Sequence, residues 1–210
     1  CESRQEGIER LHENPHFKYI ILDDAFQHRK VQAGTNLLLT SYDKLYTQDF
    51  LLPGGSLRDI RSRARKAQII IVTKCPELTQ AEQEKIIQQL KPLPSQKVYF
   101  TSIAYSDRVY SHEDSQALKD FIATPFTLVT GIANPTPLVD FLEKQGASFE
   151  HLAYSDHHHF SNRELELLRQ KGRILTTEKD YVRLEGALST LYYLPIETQF
   201  LNDQRLIFND

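Results

Sequence analysis

The chain has 210 residues, 40% of them hydrophobic and 25% charged, which is enough to bury a core and belongs to the ordinary globular class. A net charge of -3 gives no long-range attraction for a polyanion, and no basic patch interleaved with aromatics stands out, so nucleic acid is excluded as a partner. Two cysteines far apart, Cys1 and Cys75, exclude a disulfide framework and a cysteine-based zinc site, and no apolar run is long enough to cross a bilayer.

Short apolar runs rich in β-branched residues alternate with polar stretches of helical period, the pattern of parallel strands joined by crossover helices. The fold class is therefore α/β, a doubly wound, mostly parallel sheet with a second, smaller α/β unit. In chain order the expected strands are Tyr19 to Leu22, Leu37 to Leu39, Ile69 to Val72, Val98 to Phe100, Phe126 to Val129, Ile174 to Thr176 and Tyr192 to Leu194. Thr79 followed by Glu82 reads as a capping box that opens a helix running to Lys91, with Ile86, Ile87 and Leu90 as its apolar stripe. Pro135 to Lys144 and Ser161 to Lys171 read as further helices, started by Pro137 and Ser161. The polar stretch from Ser106 to Thr124 holds no strand-like run. It predicts residues 1–106 as one domain, 107–123 as a linker and 124–210 as the smaller domain.

The densest chemistry follows the first expected strand, where Asp23-Asp24-Ala25-Phe26-Gln27-His28-Arg29 sets two acids, an amide, an imidazole and a guanidinium in one short span. Ligands in open parallel sheets sit beyond the carboxyl ends of strands, and adjacent acids there either hold Mg²⁺ beside a phosphate or simply cap a turn. A second polar set comes in Leu51-Leu52-Pro53-Gly54-Gly55-Ser56-Leu57-Arg58-Asp59, where Gly54 and Gly55 let backbone approach a ligand and deliver Arg58 and Asp59. Arg58 suits a phosphate and Asp59 a sugar hydroxyl, or the two form a capping pair. Thr73 and Lys74 end a core strand. Thr130-Gly131-Ile132-Ala133-Asn134-Pro135 is a glycine turn before a helix, able to hold an anion on free N–H groups. Asp156-His157-His158-His159-Phe160 adds a histidine run, and Thr177-Glu178-Lys179-Asp180 reads as an N-cap with its capping-box position, chiefly structural.

Taken in order, these segments resemble the tetraacyldisaccharide 4'-kinases of lipid A synthesis, whose signature Asp-Asp-Gly-Phe-Gln-His-Arg is matched with Ala25 in place of glycine. The glycine loop is similar to the family's Leu-Leu-Pro-Ala-Gly-x-Leu-Arg-Glu, with Asp59 in place of glutamate. If the family's glycine takes a positive φ, Ala25 is strained by about 1 kcal/mol. The resemblance implies a P-loop-kinase-like fold and transfer of the γ-phosphoryl group of ATP to the 4'-hydroxyl of a tetraacyldisaccharide 1-phosphate. It implies Mg²⁺ on Asp23 and Asp24, catalytic roles for Asp23, Asp24, His28, Arg58, Asp59 and His157, and substrate contacts from Gln27, Arg29, Gly54 and Gly55. His157 would assist an aspartate base from a Val-Gly-Asp-Glu segment that this sequence lacks.

No Gly-x-x-x-x-Gly-Lys-[Ser/Thr] occurs in residues 1–210, and the chain has no methionine, even at position 1. The chain therefore reads either as the C-terminal part of a longer protein or as a sequence from which methionines are missing. The first reading carries the expectation of a chain inactive alone, whose phosphate loop and membrane-associating segment lie upstream, working peripherally on the cytoplasmic face of the bacterial inner membrane. Two other readings remain: a metal-dependent phosphoesterase built on Asp156-His157-His158 with Asp23-Asp24, which needs further metal-binding aspartates, and a non-catalytic binding module.

Overall fold

The run Ile69-Ile70-Ile71-Val72 alternates its side chains between two faces, and both faces find apolar partners. In the computed structural model, which describes residues 4–13, 16–28 and 30–203, Ile70 and Val72 pack with Leu45, Ile86, Leu90 and Phe100, while Ile69 and Ile71 pack with Tyr99 and Phe200. Burying each of these side chains stabilises the fold by about 1.5–3 kcal/mol. The chain divides into two units, one made of Cys1–Ile103 with Thr198–Asp210, the other of Ala104–Glu197.

The first unit opens with helix α1 (Arg4–His12) and contains strands β1 (Leu37–Ser41), β2 (Ile69–Thr73) and β3 (Lys97–Tyr105), which pair in parallel, with β10 (Ile196–Phe200) completing the sheet order β1-β2-β3-β10. Helix α2 (Gln80–Leu90) is the crossover between β2 and β3. Its capping box is as expected: the Thr79 hydroxyl accepts from the Glu82 N–H, and the Glu82 carboxylate accepts from the Thr79 N–H at 2.8 Å. It closes on Lys91 in the left-handed region at φ 48°.

The expected strand at Tyr19 to Leu22 does not form. Tyr19 is 73% exposed and Ile21 90%, and β1, its nearest strand in sequence, pairs only with β2 among the described residues. An apolar run becomes a strand only through a ladder partner, and the periodicity of the segment carried no information about one.

The second unit is a six-stranded sheet in the order β5-β4-β9-β8-β6-β7. Strands β6 (Phe126–Thr130), β7 (Phe149–Ala153), β8 (Ile174–Thr177) and β9 (Leu191–Leu194) run parallel, and β4 (Arg108–Tyr110) and β5 (Ser115–Ala117) close one edge antiparallel. Helices α3 (Leu118–Ile122), α4 (Thr136–Lys144), α5 (Asn162–Arg169) and α6 (Glu178–Leu184) surround it. Val109, Phe121, Leu128, Leu142, Leu175 and Leu194 form one core cluster, and Val129, Leu168, Ile174, Tyr181, Leu184 and Leu191 another.

The segment read as a linker, 107–123, is thus a built part of the second unit. Val109 and Phe121 are fully buried, but their strands and helix are only three to five residues long, too short to show a period. Strand β7 and strand β10 escaped the sequence reading for a related reason, since Phe-Glu-His-Leu-Ala and Ile-Glu-Thr-Gln-Phe interleave charged or polar side chains with the apolar ones.

Candidate functional site

In the first unit, the Asp23-Asp24 pair lies in a turn, and Asp24 takes a positive φ of 46°, a conformation that a short acidic side chain tolerates better than most. Ala25 is not strained, because the left-handed residue is its neighbour. The turn closes with the His28 N–H donating to the Ala25 carbonyl at 2.8 Å, leaving His28 exposed and Gln27 half-buried. Arg29 lies outside the described residues.

Across 34 positions of sequence, Arg58 meets Asp24 with both prongs of its guanidinium: Nη1 donates to Oδ2 at 2.8 Å, and Nη2 donates to Oδ1. This hydrogen bonding from Arg58 holds the Asp24 carboxyl below its ordinary range and raises Arg58 in turn. Both side chains are more than half exposed, so the pair adds little to stability and its geometry is available for other work. Asp59, by contrast, faces away toward Arg63, at 2.9 Å, and accepts from the Ile60 N–H at 2.8 Å. As it stands, its carboxylate is tied to the start of the 3-10 turn Arg61–Lys66 through Arg63.

The loop that presents Arg58 is organised by a residue the sequence reading passed over. Asp49 is buried, and its carboxylate accepts from the Phe50 N–H at 2.8 Å, the Ser56 N–H at 3.2 Å and the Ser56 hydroxyl, with the Lys44 ammonium at 3.2 Å. These donors, led by Ser56, lower its pKa to about 2. Its backbone carbonyl accepts from Arg61 Nε at 3.0 Å. Gly55 sits so close under this carboxylate that a Cβ there would collide with Asp49 Oδ1 and the Phe50 carbonyl, so glycine is required by packing. Gly54 has room for a Cβ, its nearest neighbour being the Leu51 carbonyl at 3.6 Å. Nothing in the one-dimensional pattern tied Asp49 to Ser56; the link exists only once the loop folds back.

Thr73 ends β2 with its hydroxyl donating to the Thr40 carbonyl at 3.4 Å, and Lys74 turns the chain at φ 57°.

In the second unit, the turn after β6 holds an anion, and the anion is the chain's own. Asp180, fully buried in α6, accepts from the Gly131 N–H at 2.8 Å and the Thr177 hydroxyl at 2.8 Å through Oδ2, and pairs with Arg183 through Oδ1 at 3.2 Å. Thr177 caps α6 by accepting from the Asp180 N–H at 3.2 Å, but the box is not reciprocal because the Asp180 carboxylate reaches Gly131 instead.

His157 hangs from the same turn, its N–H donating to the Gly131 carbonyl at 3.2 Å and its φ at 59°. Its ring lies between two cations, with Nδ1 at 2.9 Å from Arg183 Nη2 and Nε2 at 3.2 Å from Lys179 Nζ, and Lys179 is itself paired with Asp156 at 2.8 Å. A guanidinium and an ammonium only donate, so the two cations compete for the one lone pair that a neutral imidazole offers, and the shorter contact is the one to Arg183. The histidine run does not gather around a metal. His158 pairs with Glu164 at 3.0 Å and stacks on Tyr154, His159 is exposed, and no group of three metal-ligating side chains exists among the described residues. The phosphoesterase reading loses the aspartates it needs.

A family model described as tetraacyldisaccharide-1-P 4'-kinase matches residues 1–208. The chain belongs to this family. It is 44% identical over 210 residues to the tetraacyldisaccharide 4'-kinase of Flavobacterium johnsoniae, covering 97% of this chain and 61% of that protein. It is 42% identical over 212 residues to the enzyme of the same name from Flavobacterium psychrophilum, with the same coverage, and 40% identical over 228 residues to that of Phocaeicola vulgatus. The chain spans about 61% of the length of these relatives. Among solved structures, LpxK of Aquifex aeolicus in complex with ATP superposes with a TM-score of 0.61 at 19% identity, over 86% of this chain and 53% of that one, which shows a shared α/β fold. The segments Asp23 to His28 and Leu51 to Asp59 of this 4'-kinase family member are the ones joined by the Asp24–Arg58 fork.

Proposed function

We propose that this chain serves the ATP-dependent transfer of a γ-phosphoryl group to the 4'-hydroxyl of a tetraacyldisaccharide 1-phosphate, on the cytoplasmic face of a bacterial inner membrane. The observation that carries the reading is the Arg58 fork on Asp24, which couples the two polar segments where a phosphoryl group and a metal would be handled. Family membership over residues 1–208 supports the reaction class, and ATP stands in the structure of the Aquifex aeolicus protein.

Phosphoryl transfer depends on positioning and on neutralising charge around the moving group. Arg58 is suited to both, since its planar fork fits phosphate oxygens as well as it fits the Asp24 carboxylate. An arriving phosphate would compete for that fork and release Asp24. Asp23 is exposed and makes no ion pair among the described residues, so it fits Mg²⁺ as it stands, whereas Asp24 fits only after Arg58 lets go. Bound there, Mg²⁺ would supply charge neutralisation on the phosphate oxygens. Gln27 and His28 would orient the sugar, and Asp59 would do so only on leaving Arg63. Gly54 and Gly55 keep the loop close, the second by packing under Asp49. His157 would assist a carboxylate acting as base only after its ring leaves Arg183 and Lys179.

Residues 1–210 hold no phosphate-binding Gly-Lys loop, and the 210-residue chain alone is proposed to bind ATP weakly and not to turn over. Calorimetry should detect no micromolar Mg-ATP binding to it; micromolar binding would refute this part. Catalysis is tested in a chimera that fuses the unmatched part of the Flavobacterium johnsoniae enzyme to this chain. There Arg58→Ala should lower kcat by about 10²–10³ with thermal stability unchanged, the scale for losing one charge-stabilising donor. A chimera that phosphorylates the disaccharide lipid as well without Arg58 would sink the assignment.

A further inference from the structure

Five of the nine residues from Arg58 to Lys66 are basic and one is acidic, a local concentration of positive charge in a chain whose net charge is -3. The acid, Asp59, is spent on Arg63. Ala64 and Ala67 are buried, and Gln96 Nε2 donates to both of their carbonyls at 2.8 and 2.7 Å, which fixes the inner side of the turn Arg61–Lys66. Arg65 and Lys66 are left exposed, with no ion pair among the described residues.

Beside this turn lies apolar surface. Phe50 is 66% exposed, Ile60 54% and Leu51 46%, and with Arg61 they line an open concavity of about 730 Å³; Leu52, 62% exposed, follows in the same loop. Arg61 ties the two halves together, its guanidinium lying 5.4 Å from the Phe50 ring centroid. With a rise of about 2 Å per residue in a 3-10 turn, Arg65 and Lys66 lie roughly 8–10 Å along from Arg61, about one Debye length in physiological salt. Apolar side chains that protrude next to unspent cations match an anionic lipid surface, where the apolar groups enter the acyl boundary and the cations meet phosphates.

We propose that the loop Phe50 to Ile60 with the turn Arg61–Lys66 is a docking surface for an anionic phospholipid bilayer. Charge complementarity decides the occupant: a second copy of this chain would set the same cations against this turn across a twofold contact and repel it. The inference does not rest on phosphoryl transfer and is tested without ATP or substrate.

The test is co-sedimentation of the 210-residue chain with vesicles of phosphatidylcholine alone or with 30 mol% phosphatidylglycerol, at low and high salt. The chain should bind only the anionic vesicles and release in high salt, although its net charge opposes binding. Arg65→Gln with Lys66→Gln should weaken binding about 25-fold, from roughly fivefold per juxtamembrane charge. Leu52→Glu should weaken it at least as much. Lys85→Gln with Lys97→Gln, two exposed cations elsewhere in the first unit, makes the same change in net charge and should alter binding less than threefold. The proposal is overturned by absence of binding, by equal binding to neutral vesicles, by equal losses in the two double variants, or by a dimer in light scattering that Phe50→Ser dissolves.

Discussion

Removing the Asp180 carboxylate should unfold the second unit at a much lower temperature, because that one buried group satisfies three donors from three places. Asp180→Ala strands the Gly131 N–H and the Thr177 hydroxyl and leaves Arg183 without its partner. A buried donor left unsatisfied costs about 1–3 kcal/mol, and breaking a buried ion pair about 3–5 kcal/mol. Arg183 is about a quarter exposed and can turn to water, which places the sum near the bottom of the second range, about 3 kcal/mol. For a unit the size of residues 104–197, each kcal/mol moves Tm by about 4–8 °C, so a fall of about 12–24 °C is expected. Thr177→Val, which removes one bond and one cap, should cost about 1 kcal/mol. Differential scanning calorimetry gives the shift, and hydrogen exchange of the β8 and α6 peptides assigns it to this unit. If Asp180→Ala melts within about 2 °C of the parent, the carboxylate does not hold the turn and the account of His157 built on Gly131 falls with it.

Asp49 titrates at about 2 in the folded chain, below an unfolded carboxyl, so its contribution is complete above about pH 4 and vanishes as pH falls through about 2. The difference in Tm between the parent and Asp49→Asn should accordingly be flat from pH 7 to 5 and close toward pH 2; a difference that widens in acid would reverse the sign of the argument. Gly55→Ala forces a methyl against Asp49 and the Phe50 carbonyl and should cost about 1–3 kcal/mol in urea unfolding, whereas Gly54→Ala should be nearly silent. Burial pushes the Cys75 thiol up to about 11, so in a Cys1→Ser background it should resist a disulfide reagent at pH 8 until denaturant is added, and rapid labelling of the native chain would show that the core around β2 is open.

The parallel strands other than β7, and helices α2, α4 and α5, were legible because their signals are local: β-branched runs, a Thr-Glu and a Ser-Glu box, and prolines at a helix start. What escaped was decided by partners distant in sequence. Tyr19 to Leu22 has the composition of a strand without a neighbour to pair with among the described residues, and Arg108–Tyr110 is too short to show an alternation but pairs with Leu191–Leu194. At the site, the acids and Arg58 were visible as residue types, but not that Asp24 alone would take the fork, nor that Asp59 would turn to Arg63. The charge cluster from Arg58 to Lys66 was readable and was missed, because its aromatic companion, Phe50, stands outside the window.

The chain leaves the first unit along β3 and returns to it only with β10. During synthesis, residues 104–197 can therefore finish folding as one uninterrupted stretch while the earlier sheet still waits for its last strand from the ribosome. Until then Tyr99 lacks Phe200, its edge-on ring partner at 5.9 Å, and the outer face of β3 stays open to solvent and to chaperones. A stop codon just before β10 would thus spare the later-begun unit and cripple the one that was started first.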